Sequence, residues 1–242
     1  MSSYTLFISD LHLQASQPEI TNTFLDFLKK QAAQADALYI LGDFFDRWIG
    51  DDHQTRFNMP IMAATRQLSK TGVPIYFMSG NRDFLIGKAF TQAAGMTLLK
   101  DPHVISLYGK PTLLMHGDSL CTLDTKHQAY RKKVLNPWIQ KIFLSLPLRW
   151  RLKISEHLRQ KSYHRGNIIE EQIRDVTPKA VYNAMEAHQV SLLIHGHTHR
   201  PGIHELLVDK KPAKRIVLGD WQQQASVLVY LRNGGCRLQG LS

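Results

Sequence analysis

Short apolar segments recur along the chain, and amphipathic segments separate several of them. Seven apolar segments have strand length and are rich in Leu, Ile, Val and aromatic residues: residues 4–8, 37–41, 74–79, 112–115, 191–194, 215–218 and 225–231. Apolar residues at helical spacing predict helices over residues 20–33 and 61–70. This alternation is typical of an α/β fold with a largely buried sheet. The last third has strands without intervening helices, which predicts a second sheet packed on the first.

Residues 122–188 show long amphipathic patterns and no strand signal. The predicted helices of this region cover residues 126–134, 137–144, 148–162 and 178–188. We therefore expect a core formed by residues 1–121 and 176–242, with residues 122–175 forming a helical lid inserted into it.

Charge and composition narrow the range of partners. Lys and Arg outnumber Asp and Glu by 30 to 20, a net charge of +10. Residues 126–175 carry 12 basic and 4 acidic residues, so most of the excess lies there. Such a surface attracts nucleic acid, phosphate or anionic lipid. No apolar run approaches the roughly 18–20 residues that span a bilayer, and Cys121 and Cys236 form no disulfide framework, which favours a cytoplasmic location.

Five polar clusters directly follow predicted strands. They are Asp10-Leu11-His12, Gly42-Asp43-Phe44-Phe45-Asp46, Gly80-Asn81-Arg82-Asp83, His116-Gly117-Asp118 and Gly196-His197-Thr198-His199. The carboxyl ends of strands line the binding crevice of an open α/β sheet, so all five clusters are expected to converge. Any one of them alone is typical of an ordinary turn, because turns use Gly, Asp and Asn for backbone reasons.

The residue types of these clusters indicate a metal centre. Carboxylate, imidazole and amide oxygen together suit divalent Mn, Fe or Zn. The candidate ligands are Asp10, His12, Asp43, Asn81, His116, His197 and His199. Within an extended segment, alternate residues point to the same side, so Asp10 and His12 can bind one centre, as can His197 and His199. Seven ligands suffice for two ions if one carboxylate, which we take to be Asp43, bridges them.

Two ions about 3.5–4 Å apart clamp the attacking and leaving oxygens of an in-line displacement, so the centre predicts hydrolysis of a phosphorus–oxygen bond. His195 lies on the opposite side of its segment from His197, which favours a role in packing or in orienting a ligand. Asp46, Asp83 and Asp118 are interpreted as partners that orient ligands rather than as ligands.

The five clusters in this order resemble the signature of the calcineurin-like metallophosphoesterases. The resemblance covers roughly residues 1–120 and 188–222. It implies a four-layer sandwich, with two mixed β-sheets flanked by helices and a helical cap inserted. Carried over by motif, Asp10, His12, Asp43 and His199 would hold one metal, and Asp43, Asn81, His116 and His197 the other.

Arg82 departs from many members of that family, which have His at this position. A guanidinium cannot donate a proton to a leaving alkoxide, but it can bind anionic oxygens bidentately. The phosphate that leaves a pyrophosphate is already stable as an anion, so Arg82 favours a phosphoanhydride substrate. Alternatively, Arg82 only stabilises charge while water donates the proton to an alkoxide.

The chain resembles still more closely, over nearly its whole length, the family of UDP-2,3-diacylglucosamine diphosphatases of lipid A biosynthesis. The segments that carry this resemblance are residues 38–43, 48–52, 80–85, 115–118 and 194–201. It implies two Mn²⁺ ions per chain, other divalent ions being possible, and water attack on the α-phosphorus. The products would be UMP and 2,3-diacylglucosamine 1-phosphate. The catalytic residues would be Asp43, Asn81, Arg82 and His116.

The same resemblance implies substrate contacts from the core and the lid. Asn81, Arg82, Asp124 and Ser162 match that family's pattern, and His197 is a further candidate. Gly166 and Ile169 stand where the family has Asn and Lys, so two polar contacts differ at those positions.

The lid interleaves aromatic and aliphatic residues with Lys and Arg, which leaves two interpretations open. Such a stretch can lie on an anionic membrane, or it can be a helix pair that packs an apolar stripe on the core. The family resemblance favours peripheral association with the cytoplasmic leaflet of the inner membrane, and we expect a monomer. A nuclease or cyclic-nucleotide phosphodiesterase on the same core is the rival enzyme, although nucleic acid is not the expected partner. A non-catalytic scaffold is the remaining alternative.

Overall fold

The computed structural model describes residues 3–166, 173, 175–222 and 224–241, with only the backbone described for residues 161–166. The strands are β1 Tyr4–Ile8, β2 Ala37–Leu41, β3 Ile75–Met78, β4 Met96–Leu99, β5 His103–Leu107, β6 Lys110–Met115, β7 Leu192–His195, β8 Gly202–Val208, β9 Lys211–Val217, β10 Ser226–Leu231 and β11 Cys236–Gly240. They form one sheet in the order β11-β10-β1-β2-β3-β4 and another in the order β5-β6-β7-β9-β8. Parallel and antiparallel pairs occur in both, so both sheets are mixed.

Residues alternate between two apolar layers along the central strand β1. Leu6 and Ile8 pack with Phe24 of helix α1 (Pro18–Lys30) on the outer face. Phe7 points the other way and packs with Ile194 of the second sheet. This period-two alternation is what a strand buried on both faces produces.

Helix α7 (Pro178–Ala187) covers the outer face of the second sheet. Its buried residues Val181 and Met185 pack against Leu113 of β6 and Leu193 of β7. Helix α2 (Asn58–Lys70) packs beside α1 on the first sheet. The order of layers is therefore helix, sheet, sheet, helix, which confirms the expected four-layer sandwich.

The amphipathic region forms three further helices before α7. They are α4 Thr125–Val134, α5 Pro137–Ser145 and α6 Leu148–Gly166. The side chain of Asp124 accepts a hydrogen bond from the backbone N–H of His127 (2.8 Å) and so begins α4, and that of Asn136 does the same for Trp138 (2.9 Å) at the start of α5. No residue of α4 or α5 is fully buried. The division of the chain into core and lid stays a prediction.

Within the described ranges, no helix is long and apolar enough to cross a membrane.

Candidate metal centre

The five polar clusters leave the carboxyl ends of β1, β2, β3, β6 and β7. Strands β1 to β3 are neighbours in one sheet, and β6 and β7 are neighbours in the other. Because the two sheets pack face to face, the loops from both meet at one edge of the sandwich. The expected convergence is confirmed by the distances between their side chains.

One group of candidate ligands gathers around His199. Its Nε2 lies 3.3 Å from Oδ1 of Asp10 and 3.3 Å from Nε2 of His12. Nε2 of His12 lies 3.8 Å from Oδ2 of Asp43. The ligand atoms of Asp10, His12 and His199 all lie within 4.8 Å of one another.

A second group gathers around His116. Its Nε2 lies 3.1 Å from Oδ1 of Asn81 and 3.8 Å from Oδ1 of Asp43. The ring of His197 lies 5.1 Å from that of His116, centroid to centroid. Asp43 therefore has one carboxylate oxygen near each histidine group, and Asp10 also belongs to a compact set with Asp43 and His116. Both carboxylates lie between the two groups.

The donor set fits divalent cations. Oδ1 of Asp10 is buried and accepts no hydrogen bond from the described residues, and leaving such an atom without a partner costs about 1–3 kcal/mol. The imidazole nitrogens of His12 and His199 face each other at 3.3 Å. A bound ion would satisfy the carboxylate oxygen and both imidazoles. Nitrogen and oxygen ligands without thiolate suit Mn, Fe or Zn.

Most of the candidate ligands have a left-handed backbone. The φ angles are 55° at Asp10, 49° at His12, 50° at Asp43, 71° at His197 and 56° at His199. This region is uncommon for residues other than glycine, and such outliers cluster at functional sites. The expectation that these pairs lie on extended segments was therefore wrong, and His197 and His199 lie in different ligand groups.

Hydrogen bonds hold the imidazoles with Nε2 toward the site. Nδ1 of His116 donates to the carbonyl oxygen of Leu41 (2.9 Å), and Nδ1 of His199 donates to Oδ2 of Asp220 (3.0 Å). Such partners fix the tautomer and orientation of a metal-binding histidine. Sequence reasoning missed Asp220. It follows β9 in a Leu-Gly-Asp segment, the same signal that drew attention to Asp43.

The buried carboxylate of Asp83 organises two ligand loops. It accepts hydrogen bonds from the backbone N–H of Gly80 (2.7 Å) and of Phe44 (2.7 Å). These N–H groups lie beside Asn81 and Asp43, so Asp83 positions the loops rather than binding with the other ligands. Gly42 is required here, since its φ is +90° and an added Cβ would lie 2.5 Å from Nδ1 of His116.

Asp118, Asp46 and His195 were predicted to lie behind the ligands, and each contacts a different group. Asp118 pairs with Nε of Arg131 at 2.8 Å. Asp46 pairs with Nε of Arg159 on α6 at 2.8 Å, so it connects to helices α4 to α6, which we call the lid helices. His195 is fully buried, and its Nδ1 donates to the carbonyl oxygen of Gly196, which fits the expected packing position.

The electrostatics of the cluster favour positive charge. Burial alone would lower the pKa of His116, but the carboxylates of Asp43 and Asp10 outweigh it and raise that pKa to about 9. Burial also opposes the charged form of His199, yet Asp10 and Asp220 raise its pKa to about 10. Burial would raise the pKa of Asp10, but the nearby imidazole of His199 lowers it below its usual range. The site therefore attracts protons or metal cations.

The predicted substrate residues are only partly brought to this centre. The backbone N–H of Arg82 donates to Oδ1 of Asp43 (2.8 Å), so Arg82 adjoins the cluster. The carboxylate of Asp124 begins helix α4, as described above. The side chain of Ser162, the predicted contact at Gly166 and all of Ile169 lie outside the described residues.

Two cavities open beside the centre and share six lining residues: Asn81, Phe84, His127, Tyr130, Val134 and Gln140. The first, of about 440 Å³, lies under the helices α5 and α6 and is called the lid cavity. Its lining includes Arg82, Trp48, Leu85, Ile139, Phe143, Ile154 and Leu158. The second, of about 580 Å³, lies beside strand β4 at the end of the first sheet and is called the edge cavity. Its lining includes Leu98, Lys100, Asp101 and Arg131.

The fold and the clustered ligands together define a metallophosphoesterase. The calcineurin-like phosphoesterase family model matches residues 4–201, and the chain belongs to that family. A UDP-2,3-diacylglucosamine hydrolase of Coxiella burnetii is 56% identical over 236 residues, or 98% of this chain and 97% of that protein. One of Serratia proteamaculans is 51% identical over 224 residues, or 93% of each chain.

A solved structure extends the likeness of fold. That of an archaeal phosphodiesterase aligns with 98% of this chain and 99% of its own, with a TM-score of 0.50 and 12% identity. At that identity the likeness concerns the fold alone.

Proposed function

We propose that this protein hydrolyses the pyrophosphate of UDP-2,3-diacylglucosamine, giving UMP and 2,3-diacylglucosamine 1-phosphate in lipid A biosynthesis. Relatives that carry this activity in their names match at 51–56% identity over at least nine tenths of both chains. The proposal depends on one observation. Arg82 adjoins the two groups of candidate metal ligands and also lines the apolar lid cavity. Such a site suits a pyrophosphate attached to lipid.

The candidate ligands would hold two Mn²⁺ ions as the family pattern implies. Asp10, His12, Asp43 and His199 would hold one, and Asp43, Asn81, His116 and His197 the other. Such a pair lowers the pKa of water toward neutrality and stabilises the attacking and leaving oxygens. The buried carboxylates of Asp10 and Asp43 keep this centre anionic enough to receive cations.

Hydrolysis proceeds at the α-phosphorus. An oxygen from water forms a bond to that phosphorus, and the bond to the bridging oxygen breaks. The bridging oxygen keeps the electron pair and leaves with 2,3-diacylglucosamine 1-phosphate, while the proton of the water passes to solvent. Arg82 binds the leaving phosphate, because a guanidinium matches two anionic oxygens and stays charged throughout.

The lid cavity would take the acyl chains of the substrate. Its lining is mostly aliphatic and aromatic, and Arg82 belongs to it. The leaving phosphate and the acylated sugar would therefore lie on the same side of the scissile bond. This arrangement joins the chemistry of cleavage to recognition of lipid.

Product analysis tests this function. Incubation of the protein with UDP-2,3-diacylglucosamine and Mn²⁺ should release UMP and 2,3-diacylglucosamine 1-phosphate in equal amounts. Asp43→Asn, which removes the charge of the bridging candidate, should abolish both products. Cleavage of nucleic acid with steep salt dependence and no release of UMP would instead favour the rival phosphodiesterase.

We also propose that the lid helices rest on the cytoplasmic leaflet of the inner membrane and that the protein is a monomer. Trp138 is 73% exposed, and Trp150 is 52% exposed. Each has a lysine ammonium 5.9 Å from its ring, Lys141 and Lys153 respectively. An apolar body next to a basic group is what an anionic lipid interface accommodates.

Vesicle binding tests the membrane proposal. Trp138→Ala with Trp150→Ala should lower retention on vesicles of anionic phospholipid and leave cleavage of a water-soluble aryl phosphodiester unchanged. Leu207→Ala, at a 64% exposed position on β8, is the matched control. Equal retention of both variants would refute the lid helices as the membrane surface.

A further inference from the structure

Apart from Asn81 and the other residues that it shares with the lid cavity, the lining of the edge cavity has no part in the proposed function. The cavity lies between strand β4 and helix α4 and adjoins the lid cavity, with which it shares Asn81. Phe84 and Tyr130 line both cavities and therefore form part of the wall between them. Its volume of about 580 Å³ is in the range of small-molecule sites.

The lining of the edge cavity differs chemically from that of the lid cavity. Nε of Arg131 lies 2.8 Å from Asp118, and its Nη2 lies 3.6 Å from Asp101, so this guanidinium offsets the two carboxylates. Lys88 and Lys100 are exposed in the same lining, which leaves a positive balance. A polar, anionic ligand suits this cavity better than an acyl chain does.

Two features match a pyrimidine nucleoside in particular. The aromatic rings of Phe84 and Tyr130 provide surfaces on which a base can stack, and such stacking stabilises bound nucleotides. Oδ1 of Asp101 is buried and has no hydrogen-bond partner among the described residues. The N3–H of uracil is a donor that would satisfy this acceptor.

We propose that the edge cavity is the subsite for the uridine half of the substrate, an inference that rests on the proposed function. The pyrophosphate then lies over Asn81, where the two cavities meet, with the acylated half in the lid cavity beside Arg82. Cleavage at the α-phosphorus releases one product into each cavity. The edge cavity thereby contributes specificity for the base.

Binding of UMP and of ribose 5-phosphate to the Mn²⁺-loaded protein tests the subsite without relying on turnover. Leu98→Trp narrows the edge cavity, and Leu158→Trp narrows the lid cavity. The two leucines are matched in exposure, at 37% and 39%. The wild type should bind UMP about tenfold more tightly than ribose 5-phosphate, since a base contact of 1.4 kcal/mol gives that factor. Leu98→Trp should remove this preference, and Leu158→Trp should keep it.

A mapping experiment on the wild type avoids any dependence on a variant's folding. Photo-crosslinking with 4-thio-UMP should label a peptide that contains residues 96–101 or 130–135. No preference for UMP in the wild type, loss of the preference only in Leu158→Trp, or labelling confined to residues 139–159 would each overturn the subsite. Failure to cleave UDP-2,3-diacylglucosamine would overturn the proposed function instead, because neither binding measurement requires cleavage.

Discussion

Arg82 follows Asn81 directly. Its backbone N–H donates a hydrogen bond to the carboxylate of Asp43, and Arg82 also lines the lid cavity. In the proposed function its fixed charge stabilises an anionic leaving phosphate, whereas a proton donor at this position would serve an alkoxide leaving group. At the scale of residues, we therefore propose that the class of bond that is cut depends on a position next to the ligands.

Replacing Arg82 by Ala should lower turnover of the diphosphate substrate by roughly 10²–10³-fold, the usual cost of one charge-stabilising donor. Turnover of an activated aryl phosphodiester should fall far less, because its leaving group needs little stabilisation. Arg47→Ala is the control, since Arg47 lines the same cavity but pairs with Glu156 at 2.9 Å. Equal losses on both substrates would show that Arg82 does not act on the leaving phosphate.

The residue types and positions of the cluster could be predicted from the sequence, because each follows an apolar strand. The local backbone geometry of the cluster could not be predicted from the sequence. Left-handed φ angles at Asp10, His12 and Asp43 have no signature in the residue types around them, since Asp and His also occur in ordinary turns. The contact of Asp220 with His199 joins distant segments, so it depends on the fold rather than on spacing.

At the scale of elements, Arg151 connects the lid helices to the loop after β2. Although it lies on α6, it is only 3% exposed. Its guanidinium donates to the carbonyl oxygens of Ile49 (2.7 Å) and Leu146 (3.1 Å), and it pairs with Asp52. Gly50 lies close against the same guanidinium. This single side chain therefore holds the start of α6 against the core.

Arg151→Ala should loosen the lid. It leaves the two carbonyl oxygens without their donor, at a cost of about 1–3 kcal/mol for each that stays buried. Hydrogen exchange should accelerate in α5 and α6, and the KM for the lipid substrate should rise while cleavage of an aryl phosphodiester is unchanged. Arg149→Ala, at an exposed position two residues earlier, is the control. Unchanged exchange in α5 and α6 would contradict the anchoring role.

Some of the strands and helices could be predicted from the sequence, and others could not. All seven predicted strands are present within a few residues, because each has a continuous apolar run. The strands β4, β5, β8 and β11 and the short helix α3 (Lys88–Ala93) were missed. Each of these four strands lies at the end of a sheet and is partly exposed, so its pairing partner rather than its own pattern decides its conformation.

At the scale of the whole molecule, the ligand cluster joins the two sheets. Asp10, Asp43 and Asn81 come from the first sheet, and His116 and His199 follow strands of the second. An ion bound by both sets would bridge the interface between the sheets. Metal binding should therefore be coupled to the stability of the whole fold.

Removing divalent ions with a chelator should lower the melting temperature, and Mn²⁺ should restore it. At 100 times its Kd, a ligand that binds only the folded state stabilises it by about 2.7 kcal/mol. His116→Asn removes one candidate ligand at the buried centre, so its melting temperature should rise less when Mn²⁺ is added. The control His204→Asn lies on β8, away from the centre, and should respond as the wild type does. A melting temperature that does not respond to chelator or Mn²⁺ would contradict a centre shared by the two sheets.

We propose that cleavage occurs at the α-phosphorus, with the acylated phosphate leaving beside Arg82. The most direct measurement is the position of the new oxygen after turnover of UDP-2,3-diacylglucosamine with Mn²⁺ in ¹⁸O-labelled water. The label should appear in the phosphate of UMP and be absent from 2,3-diacylglucosamine 1-phosphate. Label in the lipid phosphate would mean attack at the other phosphorus and would contradict the claim.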